Sequence, residues 1–180
     1  ESTLLYSQVD KEFKDDILGH EARFRNAKLS YYAGDYQWAQ AQFDILKAST
    51  SKLIANDALD LSIFIMDNLG LDTIATPITM YSQAELLVFQ NRFSDAFTKL
   101  DSLATMFPGH TLQDDMLYLE AKILVKKREY QKAETVYQKI IDNHIEEIRA
   151  DNSMFELANL YENQLNNLEK VQALYERILI

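Results

Sequence analysis

With 180 residues, 47% of them hydrophobic, the chain has enough apolar surface for a continuous core, and only four glycines and two prolines for a turn-rich sheet fold. A formal net charge of −10 argues against nucleic acid or an anionic bilayer as the main ligand, because phosphate recognition needs clustered Lys and Arg. The absence of cysteine excludes disulfides, thiolate metal sites and a cysteine nucleophile, and no apolar run approaches the ~18 residues that cross a bilayer.

In chain order, apolar residues recurring at helical period predict helices near 2–14, 18–33, 36–49, 53–69, 76–91, 93–106, 112–127, 130–143, 147–164 and 167–180. An all-α chain of about ten helices is expected. Gly70 is placed to end the fourth helix in the left-handed conformation, and Thr76 followed by Pro77 suits the cap and first turn of the fifth. Asp57, Asp114 and Asp151 are expected at helix N-termini. The basic run Lys126-Lys127-Arg128 falls at the end of the seventh helix, where it complements the helix dipole. No linker or low-complexity run divides the chain, so one domain spanning 1–180 is expected. No initiator methionine opens it, and Ile178-Leu179-Ile180 closes it without a capping residue, which leads us to expect more chain or a packed neighbour at the ends.

One phrase recurs along these helices. Ala27 to Ala39, Ala84 to Ala96 and Ala121 to Ala133 each run alanine, eleven residues, alanine, with Tyr36, Phe93 and Tyr130 three residues before the second alanine. A fourth copy from Ala158 to Val171 is one residue longer and has Leu168 in the aromatic slot. Small residues on two antiparallel helices let the backbones approach, and the aromatic seals the turn between them. Phe43, Leu100, Tyr137 and Tyr175 follow four residues later, then Leu46, Leu103, Ile140 and Ile178, forming an apolar stripe on the second helix of each pair. From Phe13 to Ala27 the chain also aligns without a gap to Phe107 to Ala121, so residues 1–14 read as the second helix of a preceding unit.

This phrase resembles the tetratricopeptide repeat. The resemblance implies a right-handed α-solenoid: a leading half-repeat at 1–14, repeats at 18–49, 76–106, 112–143 and 147–180, and an inserted helix at 53–69. The last two repeat spacings are 37 and 38 residues against the family's ~34, whereas Ala39 to Ala96 spans 57, which is what calls for the inserted helix. The connector Phe107-Pro108-Gly109-His110 with Asp114-Asp115 is similar to those of bacterial envelope members, the outer-membrane assembly lipoproteins and periplasmic cell-division coordinators. That likeness implies an exported scaffold that contacts other envelope proteins and carries no cofactor.

In such arrays the first helices line a concave groove. Phe24 with Lys28, Tyr81 with Glu85, Tyr118 with Lys122 and Phe155 with Asn159 stand four apart in the register that faces it, giving aromatic platforms with polar neighbours suited to a peptide or protein partner. The same ring positions also suit burial between adjacent repeats, where a ring contributes by packing alone. Tyr31, Tyr32 and Trp38 add aromatic surface near the first turn. The alternative is a structural spacer or self-association module that stacks through its open apolar ends, by Leu174, Ile178 and Ile180.

Catalytic chemistry finds little support. The four glycines are isolated, so no phosphate loop or dinucleotide fingerprint exists, and GxSxG is absent. His144 with Glu147, and His110 with Asp114 and Asp115, fall short of a metal-ligand set. A non-enzymatic, metal-free role is therefore expected, and an unrecognised hydrolase or metal site at His20, His110 or His144 is the remote alternative.

Overall fold

The structure, a computed structural model, describes residues 2–48, 51–70, 75–145 and 148–178. The described residues form ten α-helices and no strand: α1 Ser2–Glu12, α2 Ile17–Tyr32, α3 Tyr36–Leu46, α4 Lys52–Gly70, α5 Thr76–Phe89, α6 Phe93–Met106, α7 Gln113–Lys126, α8 Tyr130–Asn143, α9 Ile148–Leu160 and α10 Leu168–Ile178. A π-helical turn, Tyr161–Leu165, joins α9 to α10. The chain divides into two compact units, Glu1–Leu86 and Leu87–Ile180.

In the first unit α1 packs on α2, α2 on α3, and α3 on α4, which also reaches α2. Asp16 caps α2, its carboxylate accepting the Leu18 amide at 2.8 Å. Close passage of the α1–α2 connection depends on Gly19: a Cβ there would lie 2.0 Å from the Phe13 carbonyl oxygen. Ala27 and Ala39 are fully buried, as the close approach of α2 and α3 requires, and Phe43 and Leu46 continue the stripe into the core. The ring of Phe64, on α4, lies 6.3 Å from Tyr31 and 5.2 Å from Tyr81, so α4 closes this core with an aromatic wedge.

In the second unit α7, α8, α9 and α10 pack in succession, and α9 also reaches α7. Their core unites Ala121, Ala133 and Ala158 with Tyr137, Ile140, Ile141, Leu157, Tyr161, Val171 and Leu174. Ala96, Leu100 and Leu103 are buried on α6. Every alanine of the repeated phrase, Ala84 included, has no solvent exposure.

The turns after α2, α5 and α7 repeat one backbone geometry. Gly34, Asn91 and Arg128 all take positive φ, at 86°, 59° and 61°. The amides that follow them, of Asp35, Arg92 and Glu129, donate back to the carbonyls of Ser30, Leu87 and Leu124 at 2.9, 2.8 and 2.9 Å, closing a six-residue ring that satisfies the helix end. The carbonyls of those same three residues accept from Ala39, Ala96 and Ala133, opening the next helix.

The fourth hairpin spends its additional residue on the π turn. There the Asn167 amide donates to the Tyr161 carbonyl at 3.0 Å, and Asn166 takes the left-handed position at φ 51°. A one-residue insertion absorbed as a π turn leaves the flanking helices in register. Leu168, in the aromatic slot, is 72% exposed and seals nothing.

Other expectations need correction. α3 ends at Leu46: Lys47 still donates to the Phe43 carbonyl in α-helical fashion, but the Ala48 amide turns to the Ile45 carbonyl in a tightened last turn, and residue 49 lies outside the described residues. The expected 147–164 helix is split at Leu160 by the π turn. Thr76 is the first residue of α5 rather than its cap, since the Ala75 carbonyl already accepts from both the amide and the hydroxyl of Thr79. Asp57 lies in the second turn of α4, too far along to cap it, whereas Asp114, Asp115 and Asp151 do lie in first turns. Leu174 is 6% exposed in the core of its own unit, which withdraws it from a self-association surface; the side chain of Ile178, and Ile180, lie outside the described residues, as does Glu147.

Candidate functional site

In three of the four expected aromatic–polar pairs the ring is partly or largely exposed, and in the fourth it is buried. Tyr81 is 3% exposed against Phe64, so it is a core residue rather than a platform; the wedge from α4 covers it. Its companion Glu85 is partly exposed and accepts a 2.8 Å hydrogen bond from the hydroxyl of the fully buried Tyr31. Burial, then the charge of Glu85, holds the Tyr31 phenol well above its ordinary range, so it stays a donor.

Phe24 is half-buried on α2, its ring 5.7 Å from that of Phe43. Lys28 lies over the ring of Tyr32, 5.9 Å from its centroid. α4 packs alongside α2 as well as on α3. Trp38 is 39% exposed, and Tyr31 is core.

In the second unit the neighbouring first helices α7 and α9 carry the other two pairs. Tyr118 is half-buried, with Lys122 Nζ 5.4 Å and the Arg149 guanidinium 5.0 Å from its ring centroid. Arg149 is anchored by Asp115, 8% exposed in the first turn of α7, whose carboxylate accepts from Nε at 2.5 Å. Burial, then the charge of Glu156, pushes the Tyr118 phenol up to about 12. Phe155 is 53% exposed, large for a ring in the middle of a packed helix, and Asn159 follows it one turn later. The face therefore offers two cations over one ring, an open second ring and an amide, a set that stacks on and hydrogen-bonds to extended peptide.

Arg149 was not foreseeable from spacing, because its partners Asp115 and Tyr118 lie on another helix. Nor was a second polar cluster, in which Tyr161 and Lys170 both donate to Glu134 Oε1, at 2.6 and 2.8 Å. The extra residue of the fourth copy was its one sequence signal. This cluster edges an open depression of about 690 Å³ between α8 and α10.

His20 lies in the first turn of α2, His144 follows α8, and His110 helps to build a turn. His110 Nδ1 accepts the Leu112 amide at 3.1 Å, ahead of α7, and its ring meets Phe107 edge-on at 6.3 Å. Among the described residues no three His, Asp or Glu side chains converge on a metal position, and no helix is long and apolar enough to cross a membrane.

Compared with known proteins, the chain matches no family model, no curated protein and no solved structure.

Proposed function

We propose that this chain is a non-enzymatic protein-binding scaffold of the tetratricopeptide type, with the hairpins of each unit stacked as in a right-handed α-solenoid. The recurrence of one turn geometry at Gly34, Asn91 and Arg128, with a fully buried alanine on each side of each turn, supports the repeat reading. In this reading a peptide or protein segment docks on the first-helix face of the second unit, across Tyr118, Lys122, Phe155 and Asn159; Phe24, Lys28 and Glu85 are a candidate contact set of the first unit by itself. The carrying observation is the open ring of Phe155 on α9 together with the Tyr118 ring of α7 under two cations, one of which, Arg149, comes from α9. A preformed face of this kind leaves the ordering cost mainly with the ligand. The acidity of the chain favours a protein partner over nucleic acid, and a place in a bacterial envelope assembly rests on the connector resemblance alone.

Selection of displayed peptides on the protein, with a Lys122→Ala/Phe155→Ala variant of unchanged melting temperature as the counter-target, tests the proposal. Peptides retained by the first and released by the second support it. Equal retention by both removes this face from the binding function.

A further inference from the structure

The second helix of the fourth hairpin is held differently from its counterparts. α3 buries Tyr36, Ala39, Phe43 and Leu46, and α8 buries Ala133, Tyr137, Ile140 and Ile141. α6 buries Ala96, Leu100 and Leu103, whereas of the described side chains of α10 only Val171 and Leu174 are buried, with Tyr175 partly buried against the same core. A polar tie takes the place of the missing apolar contacts. Lys170 Nζ donates to Glu134 Oε1 at 2.8 Å and to the Tyr161 hydroxyl at 3.1 Å, and it lies 4.7 Å from the Tyr161 ring centroid. The Tyr161 hydroxyl donates to the same carboxylate oxygen at 2.6 Å. Glu134 belongs to α8, so the tie spans the open depression between α8 and α10, where Gln138, Asp142, Ala173 and Arg177 also face the gap.

The connection into α10 differs too. The left-handed residue is kept, at Asn166, but the π turn Tyr161–Leu165 widens the closing ring by one residue, the Asn167 amide reaching the Tyr161 carbonyl, and Asn167 caps α10, its side-chain oxygen accepting the Lys170 amide at 3.2 Å. A helix with few buried apolar contacts, a polar tie and a turn whose ring geometry departs from its counterparts has the makings of a locally opening segment.

We propose that α10 is a strap, hinged at residues 161–167 and latched by Lys170: it undocks from α9 while α7, α8 and α9 stay folded, and the Glu134–Tyr161–Lys170 tie sets how often it does so. Undocking bares the ring of Tyr161 and the apolar side of α9 beside it, a surface that the closed state hides. The strap does not depend on the peptide-binding reading, since its parts lie on α8, α10 and the turn.

Native-state hydrogen exchange on the whole chain, resolved by amide, tests this. Amides of residues 172–177 are expected to exchange together, roughly ten-fold or more faster than those of Tyr137, Ile140 and Ile141. Lys170→Met and, independently, Glu134→Gln are expected to speed α10 exchange roughly three- to ten-fold while leaving α8 unchanged, the range allowing for solvent around Lys170. Equal protection of α10 and α8, a graded rise toward the end of α10 that signals fraying, or both variants accelerating α8 as much as α10 would overturn the proposal.

Discussion

Asn91 and Arg128 stand at the same point of two successive hairpins with φ of 59° and 61°, a backbone conformation that glycine takes at little cost and that Gly34 supplies in the first hairpin. Arg128→Gly should therefore stabilise the protein by about 0.5–1 kcal/mol, since the left-handed penalty on a residue with a Cβ exceeds what is lost in chain entropy. Gly34→Ala should cost about 1 kcal/mol, although a Cβ there would meet no atom within 4 Å, because the cost is torsional rather than steric. Thermal denaturation of the two variants, moving in opposite directions, checks the shared geometry.

Gly19 presents the reverse case, in which sterics decide. Gly→Ala within a helix normally gains about 1 kcal/mol. Here the added Cβ meets backbone at Phe13, and backbone cannot swing aside as a flexible side chain can. Gly19→Ala should destabilise by about 1–3 kcal/mol, read from the midpoint of urea unfolding.

Tyr81 and Phe155 occupy equivalent positions in the repeated phrase yet should respond oppositely to truncation. Tyr81→Ala empties a site that is 3% exposed and should cost about 3–5 kcal/mol. Phe155→Ala trims a ring that is 53% exposed and should change stability by no more than about 0.5 kcal/mol. Melting temperatures of the two variants measure the difference directly.

Much of this was legible in the chain itself. The alanine spacing locates the close helix approaches, because only a small side chain lets two backbones meet, and the burial of Ala27, Ala39, Ala121 and Ala133 follows. Tyr81 was less legible: helical period gives the face on which a ring stands but not what packs over it, and the cover comes from Phe64 on the extra helix α4. The Asp115–Arg149 pair and the Glu134–Lys170 tie join helices far apart in sequence, where no local spacing constrains them. The π turn was half visible, as an additional residue whose placement depends on hydrogen bonding rather than on pattern.

The Glu134 carboxylate is held below its ordinary 4.5 by the hydrogen bond from Lys170 and then by that from Tyr161. A depressed folded-state value means that its contribution is present above about pH 4.5 and is lost as pH falls through the lower folded value. Exchange of α10 amides, corrected for the intrinsic rate, should therefore gain on that of α8 as the pH falls from about 5 to about 3, through the carboxylate range. In Glu134→Gln this differential should vanish.

The most direct measurement is an amide-resolved NMR titration of the protein with a peptide selected on it. Docking on the first-helix face predicts shift changes centred on Tyr118, Lys122, Phe155 and Asn159, and a binding constant weakened by Lys122→Ala and by Phe155→Ala. Changes confined to α6, α8 and α10, with both variants binding as tightly as the original, would contradict the scaffold face proposed for α7 and α9.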